Sequence, residues 1–574
     1  MLKECIKVFE KILKEKGDSL ILDSYIPIDG TYVIVDLENN KVKHYIIKKD
    51  DEKGIIDKSI EDFSKICHYD YYSKIINTNK AIADKKIHSN NYLSFFAKKE
   101  NIIKGEITEK IIDDYYAILT NPLLKYSKKN KSKNKSKNLY EAIEKEVGKV
   151  DGEYLERCKE WIKNNIFNIQ IENSKEEYLK IFFKAPIEKY KNESKRYLIP
   201  NIFNNNDFNV NFGEKVYGLP KDNMNLNAKK PYLENKSRKF SVPYLANLEE
   251  VLLQKKFFDY LMNLASVGKV NVYINDETIV GKLNGELPTE NFTGMLLRLK
   301  KGKTEVEVNN FDIVTNYRYD LLKPFKFEKI LDVPMNKYSY STFNTISDIQ
   351  ELINEIFFSE YLVKNYFTDS NKMSIKDNRL IKNLLLSRKV IFNWLYKGAK
   401  DGLYNILDKI TLDLVKNSIF NKDIFKAKHQ FNLRYSLLNY LKEDEFMNGN
   451  VKKIENSMRE KINSEKNNGQ ILNDQEYSYS IGQVVNYFLG RYRGNNKNDI
   501  FIHPFLHSKG DKDIKLKLRR LYDKYKHDIP SDAIRFKRYY YMILDYTLDK
   551  KIDQDMLIAG YIGDNLIDEK KEEK

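Results

Sequence analysis

Four asparagines (Asn223, Asn225, Asn227 and Asn235) are interleaved with Lys221, Lys229, Lys230, Lys236, Arg238 and Lys239 in the stretch GLPKDNMNLNAKKPYLENKSRK, Gly218 to Lys239. Asparagine amides donate and accept hydrogen bonds at base edges, while lysine and arginine neutralise phosphates. Asp222 and Glu234 are the only acids in the stretch. Pro220, Pro231 and the sparse apolar residues predict an ordered loop or arm rather than a core helix. An idle solvated loop has the same composition, so composition alone leaves both readings open. A second basic concentration lies further on. Of about fifteen arginines in the chain, seven fall between Arg459 and Arg538: Arg459, Arg491, Arg493, Arg519, Arg520, Arg535 and Arg538. The planar guanidinium fork suits phosphate and base contacts better than the point charge of lysine. Solvated helix faces would carry the same residues.

Signatures of catalysis are missing. The chain has no GxxxxGK[ST] phosphate loop, no GxGxxG and no GxSxG. His503 and His507 have metal-compatible spacing in HPFLH, but Pro504 is expected to break the helix that would align them, and no acidic ligand is adjacent. In CHYD, Cys67 to Asp70, a thiol and an imidazole are immediate neighbours, which seldom face each other productively, so a structural role is expected. The carboxylates form no recognisable two-metal cluster. No catalytic residue, metal site or cofactor is therefore expected.

The elements that must position these residues follow from composition and periodicity. The chain has 574 residues, 41% of them hydrophobic and 13% aromatic, enough for real cores and too apolar for wholesale disorder. A formal charge of +16 favours polyanionic partners, although a lysine- and asparagine-rich composition also follows from an AT-rich genome. Three scattered cysteines (Cys5, Cys67, Cys158) fit a reducing cytoplasm, and no apolar run is long enough to cross a bilayer. The opening MLKECIKVFEKILKEK reads as an amphipathic helix with Leu2, Cys5, Ile6, Phe9, Ile12 and Leu13 on its apolar face. TYVIVDLENNKVKHYII predicts a hairpin about Asn39-Asn40, and GMLLRLKKG followed by KTEVEVNNFDIV predicts another. The Lys/Asn/Ser tract from Ser127 to Asn138 has no apolar residue to bury and is expected to be a flexible basic loop. From about Thr345 the pattern turns helical. Ile481, Val484, Val485, Phe488 and Leu489 form one core stripe, and Leu518, Leu521, Tyr522 and Tyr525 form another. On that second helix Lys517, Arg520 and Lys524 form a separate basic rail, and Ser531 is expected to cap the next helix. The expected fold class is α+β, with a mixed α/β region over residues 1–344 carrying β-hairpins and an α-helical bundle over residues 345–574.

Across nearly its whole length the chain resembles the large subunit of the type I-B CRISPR Cascade surveillance complex. The resemblance rests on MLKECIKVFEKIL with ILDSYIPIDGTYVIVD, then GLPKDNMNLNAKKPYLENKSRK, NFTGMLLRLKKGKTEVEVNNFDIV, YSYSIGQVVNYFLGRYRG and the closing MLIAGYIGDN, in that order. None of these blocks is a universal signature; their order and spacing carry the match. The resemblance implies a non-catalytic protein without cofactor that binds guide CRISPR RNA near its 5′ handle. It would recognise a short protospacer-adjacent motif in double-stranded target DNA and help open it. It would hold the displaced single strand and pack with backbone, guide-processing and small subunits, while a recruited helicase-nuclease destroys the DNA. In related systems the small subunit arises from an internal start, for which Met447 and Met458 are candidates. The implied contact residues are the six cations and four asparagines of the 218–239 stretch, together with Arg491, Arg493, Lys517, Arg519, Arg520, Lys524, Arg535 and Arg538, with Tyr492 as a stacking face. Two other classes stay open on the residues alone: a stand-alone metal-dependent nuclease with a non-obvious active site, and a basic scaffold that binds only proteins.

Overall fold

A computed structural model describes residues 2–48, 57–126, 131–169, 177–206, 209–220, 245–302, 305–333, 338–442, 450–464, 469–492, 501–508 and 510–569. The chain divides into two compact units, one formed by Met1–Leu283 with Gly294–Ile313 and the other by Asn284–Thr293 with Val314–Lys574.

In the first unit, helix α1 (Leu2–Lys16) places Cys5, Ile6, Phe9 and Ile12 on one buried face. Phe9 meets Phe257 and Tyr260 of α3 (Leu248–Ser266) at ring distances of 5.3 and 5.6 Å. Each such aromatic taken from water contributes about 1.5–3 kcal/mol. The expected hairpin is present as β1 (Gly30–Asp36) and β2 (Lys41–Ile47), paired from Gly30 with Ile47 to Asp36 with Lys41. Its turn works because Asn40 tolerates a positive φ of 49° and the Asp36 carboxylate accepts from the amides of Glu38 and Asn39. With β3 (Ser94–Lys98) and β4 (Tyr178–Phe183) these strands form a mixed sheet in the order β2-β1-β4-β3, in which β1 and β4 run parallel. The other expected hairpin is also present, as β10 (Phe292–Lys301) and β11 (Val306–Tyr317), in a sheet of order β11-β10-β8-β9 with β8 (Lys269–Ile274) and β9 (Ile279–Leu283).

The Lys/Asn/Ser tract departs from expectation. Residues 127–130 lie outside the described ones, but Lys131 to Asn138 are the first turns of helix α2 (Lys131–Val147). Polar contacts do there what apolar burial does elsewhere. Asn206 donates to the buried Ser136 hydroxyl (2.5 Å), Lys135 donates to the Asn209 carbonyl (2.7 Å), and Leu139, Tyr140 and Ile143 bury the turns that follow.

The second unit opens on a small hairpin, β12 (Asp320–Lys326) with β13 (Thr342–Thr345), and becomes helical at Thr345. Thr345 and Asp348 form a capping box for α4 (Ile346–Leu352). The division between units falls earlier in the chain than residue 344 because the hairpin and its return pack on α7 (Ile424–Leu441). Phe325 lies 5.6 Å from Tyr440, the Glu328 amide donates to the Ser436 hydroxyl (3.0 Å), and Asn432 exchanges hydrogen bonds with the Leu331 backbone at 2.8 and 3.0 Å.

The helical layers of this unit also include α5 (Asn378–Lys397), α6 (Leu403–Phe420), α8 (Asn450–Asn463), α9 (Asp474–Arg491), α10 (His503–Leu506), α11 (Asp511–Tyr525), α12 (Ile534–Asp545) and α13 (Gln554–Ile562). Ile481, Val484, Val485 and Phe488 are fully buried, as their spacing predicts. Buried Gln483 of α9 is satisfied on both sides of its amide: it donates to the carbonyls of Gly560 (2.7 Å) and Asp564 (2.9 Å) and accepts from the Leu566 amide (2.9 Å). Ser531 does not cap α12; Ala533 holds that position with no side-chain bond, and the Ser531 carbonyl accepts from Lys537. The architecture is α+β, a mixed region followed by helices.

Candidate nucleic-acid interface

Lys221, Asn223, Asn225, Asn227, Lys229, Lys230, Asn235, Lys236, Arg238 and Lys239 lie outside the described residues. The two ends of their segment are well defined. Strand β6 (Lys215–Gly218) pairs with β5 (Val210–Phe212) on one side and β7 (Ala246–Asn247) on the other, with Gly218 opposite Ala246. The chain therefore leaves at Pro220 and returns at residue 245 beside its point of departure. Gly218 is required at the exit, since a Cβ there would strike the Phe203 ring and the Asn209 side chain. Leu219 and Pro220 are buried, the Leu219 carbonyl accepts from the Asn204 amide (2.8 Å), and Pro220 bridges to Phe203. On the return, Asn247 and Glu250 form a capping box that starts α3 at once.

The arginine-rich end divides into two kinds of cation. Several are committed within the fold. Arg491 pairs with Asp568 (3.0 Å) and lies over the Tyr487 ring at 4.3 Å. Arg538 donates to the carbonyls of Ile462 and Ser464 (both 2.7 Å), Arg535 donates to the Glu569 carbonyl, and Arg459 pairs with Glu455 and Glu569. Lys517 also leaves the expected rail: its ammonium is held by Asp513 (2.6 Å), the Pro504 carbonyl and the Ser508 hydroxyl. The i,i+4 reach from Asp513 to Lys517 turns the side chain along the helix rather than outward. Arg493 lies outside the described residues.

The others face solvent together. Arg519, Arg520 and Lys524 are exposed on one side of α11, and among the described residues the carboxylate that Arg519 meets is Asp523, at 4.0 Å. Sequence reasoning missed their aromatic neighbours. Tyr522 of α11 stacks on Tyr540 of α12 at 5.1 Å, both half-buried, and the Tyr540 phenol, raised first by burial, also feels Asp523 and Arg519. Tyr541 is 62% exposed on α12 beside them in sequence. The signal was the run Tyr539-Tyr540-Tyr541, whose members divide by helical phase into one core, one half-buried and one exposed side chain. Cations alongside stacked aromatic faces can hold a polynucleotide by its backbone and its bases. Tyr492, expected as a stacking face, instead meets Phe501 edge-on at 5.8 Å.

The CHYD residues have structural surroundings. Burial pushes the Cys67 thiol up to about 12, away from what a nucleophile needs. Asp70 is buried between the Lys180 ammonium (2.6 Å) and the Tyr25 hydroxyl (2.7 Å). Among the described residues, no group of three or more His, Cys, Asp or Glu side chains is placed to hold a metal ion. No helix among them is long and apolar enough to cross a membrane. No family model, curated protein or solved structure matches the chain.

Proposed function

We propose that the chain is a non-catalytic nucleic-acid-binding subunit. More particularly, we propose the large subunit of a type I-B CRISPR Cascade complex, acting in the cytoplasm in antiviral defence. The carrying observation is the ordered series of sequence blocks spread over both units. Two structural features support the reading. The asparagine- and lysine-rich segment starts and ends at one strand pairing, Gly218 with Ala246, and the block Tyr477–Gly494 supplies α9, which packs on α13 from the block Met556–Asn565.

In this reading the 221–239 segment contacts guide RNA or the protospacer-adjacent motif, with asparagines at base edges and cations on phosphates. The exposed face of α11 holds the displaced strand. Guide pairing reads the rest of the target, and a recruited helicase-nuclease does the cutting. Of the two internal starts, Met447 lies outside the described residues and Met458 is buried midway along α8, so a start at Met458 would discard Val451 and Ile454 from the buried side of that helix.

The test uses the complex assembled with guide RNA and partner subunits. Changing Lys229, Lys230 and Arg238 together to alanine is expected to weaken target binding and reduce the slope of log affinity against log salt by up to about three. An unchanged slope removes these residues from the phosphates. Asn223→Ala, Asn225→Ala or Asn227→Ala is expected to relax the preference for one flanking motif, whereas uniform loss across flanking sequences would assign them to positioning. Metal-dependent cleavage by the isolated chain would favour a nuclease instead, and salt-insensitive or absent DNA affinity in the full complex would favour a protein-binding scaffold.

A further inference from the structure

The HPFLH turn has no part in the reading above, yet it stands in a cluster of cations. Pro504 does not break α10 but opens it, in the first turn where its missing N–H costs nothing. The His503 and His507 rings come to 4.7 Å. Two ties hold the turn. Lys517 donates to the Pro504 carbonyl (3.0 Å), and Gln554 donates to the Leu506 carbonyl (2.9 Å) while accepting from the Lys416 ammonium (2.5 Å). On a further side the Phe420 ring lies 5.2 Å from His503 and 5.0 Å from the Arg379 guanidinium. Arg379 on α5, Lys416 on α6, the two histidines about α10 and Lys517 on α11 thus surround one patch, and Arg379, His503 and His507 are exposed to solvent.

The neighbouring carboxylates already have partners, one of them Lys517 of the patch itself. Asp513 holds Lys517 (2.6 Å), and Asp555 takes two bonds from Arg434. Asp413 accepts from Asn383 (2.8 Å), and Asp377 caps α5 and takes Asn417 (2.6 Å). Among the described residues, neither Arg379 nor Lys416 has a carboxylate ion-pair partner. Burial, and after it His503, Lys416, Lys517 and Arg379, lowers the pKa of His507. Lys416 is lowered too, because burial outweighs the attraction of Asp413 and Asp555. The fold holds like charges together here, and a bound anion would relieve them.

We propose that this patch binds a doubly charged tetrahedral oxyanion: the phosphate group of inorganic phosphate or of a terminal phosphomonoester. Arg379 supplies a planar donor fork, and Lys416, His503 and His507 supply single donors around it. The site does not depend on the nucleic-acid reading. An anion favours protonated histidine, so affinity rises as pH falls through the histidine range.

Sulfate is the probe, since it keeps two charges throughout and the pH dependence then reports on the protein. The full chain is titrated calorimetrically with sulfate at constant ionic strength in chloride. We expect one saturable site, about tenfold tighter at about pH 6 than at about pH 8. His503→Gln with His507→Gln abolishes the pH dependence, and Arg379→Gln weakens binding about tenfold. No saturable binding by the native chain at about pH 6 overturns the proposal, whatever the variants do. So does unchanged affinity in Arg379→Gln/His507→Gln, whose unfolding midpoint in chloride checks that it is folded. Inorganic phosphate and a matched pair of oligonucleotides, with and without a 5′ phosphate, are then set to displace sulfate. Displacement by inorganic phosphate assigns a free ion, displacement by the phosphorylated oligonucleotide alone assigns a polynucleotide end, and displacement by neither overturns the proposal.

Discussion

Truncating Arg434 to alanine is expected to destabilise the second unit by about 3–5 kcal/mol. The guanidinium is 2% exposed and donates to both Asp555 carboxylate oxygens (2.9 Å each), to the Asp408 carboxylate (2.6 Å), to the Thr411 hydroxyl (2.8 Å) and to the Asp408 carbonyl. It joins α7 to α6 and α13 at one point. Its removal leaves Asp555, 17% exposed, without its countercharge, and opens a void where the stem lay. Asp408 is 48% exposed, so Asp408→Ala is expected to cost about 1 kcal/mol or less, because water replaces much of what the pair supplied. Urea unfolding of the two variants checks the contrast. Equal losses would mean that the half-exposed Asp408 carboxylate carries as much as all the contacts of the guanidinium, and that burial does not set the worth of the pair.

Two glycines of one helix are expected to respond with opposite sign. In α9, Gly482→Ala should destabilise by about 1–3 kcal/mol or more through overpacking. A Cβ at Gly482 would strike the Leu557 carbonyl oxygen and the backbone of Gly560 and Tyr561, and one at Gly560 would strike the Tyr479 carbonyl, so the two helix backbones touch at this crossing. Neither backbone can give way without separating α9 from α13 and disturbing the Gln483 bonds. Gly490 lies eight residues further along the same helix, exposed, with nothing within 4 Å of a Cβ. Gly490→Ala should stabilise by about 0.5–1 kcal/mol, because alanine loses less backbone freedom on folding. Thermal unfolding of both variants decides it; a stabilising Gly482→Ala would mean that the helices are not in backbone contact.

The helices and strands with clear periodicity were legible in the chain. The α1 face through Cys5, Ile6, Phe9 and Ile12, both hairpins, the turn to helix at about Thr345 and the α9 stripe follow from apolar spacing and turn chemistry, which act over a few residues. Where polar groups make the structure, the same rules fail. The Lys131–Asn138 turns have no apolar side chain, and their order comes from Asn206 and Asn209, some seventy residues away.

The candidate site was legible to the same degree. Sequence marked where the cations are concentrated, and it placed Lys517, Arg520 and Lys524 on one basic face, but it had no means of telling a cation that faces water from one tied to a nearby carboxylate or a distant carbonyl. Lys517, Arg535 and Arg538 were sorted only by Asp513, Glu569, Ile462 and Ser464 coming within reach. By itself, then, the amino-acid order determined the α+β class, the hairpins, the helical faces and the stock of basic and amide side chains, because those depend on local periodicity and residue type. The tertiary structure alone decided which glycine is a contact and which is spare, which arginine is committed, and that His503 and His507 stand among Arg379, Lys416 and Lys517. Each of these depends on the distance between groups far apart in the chain, and only packing sets that distance.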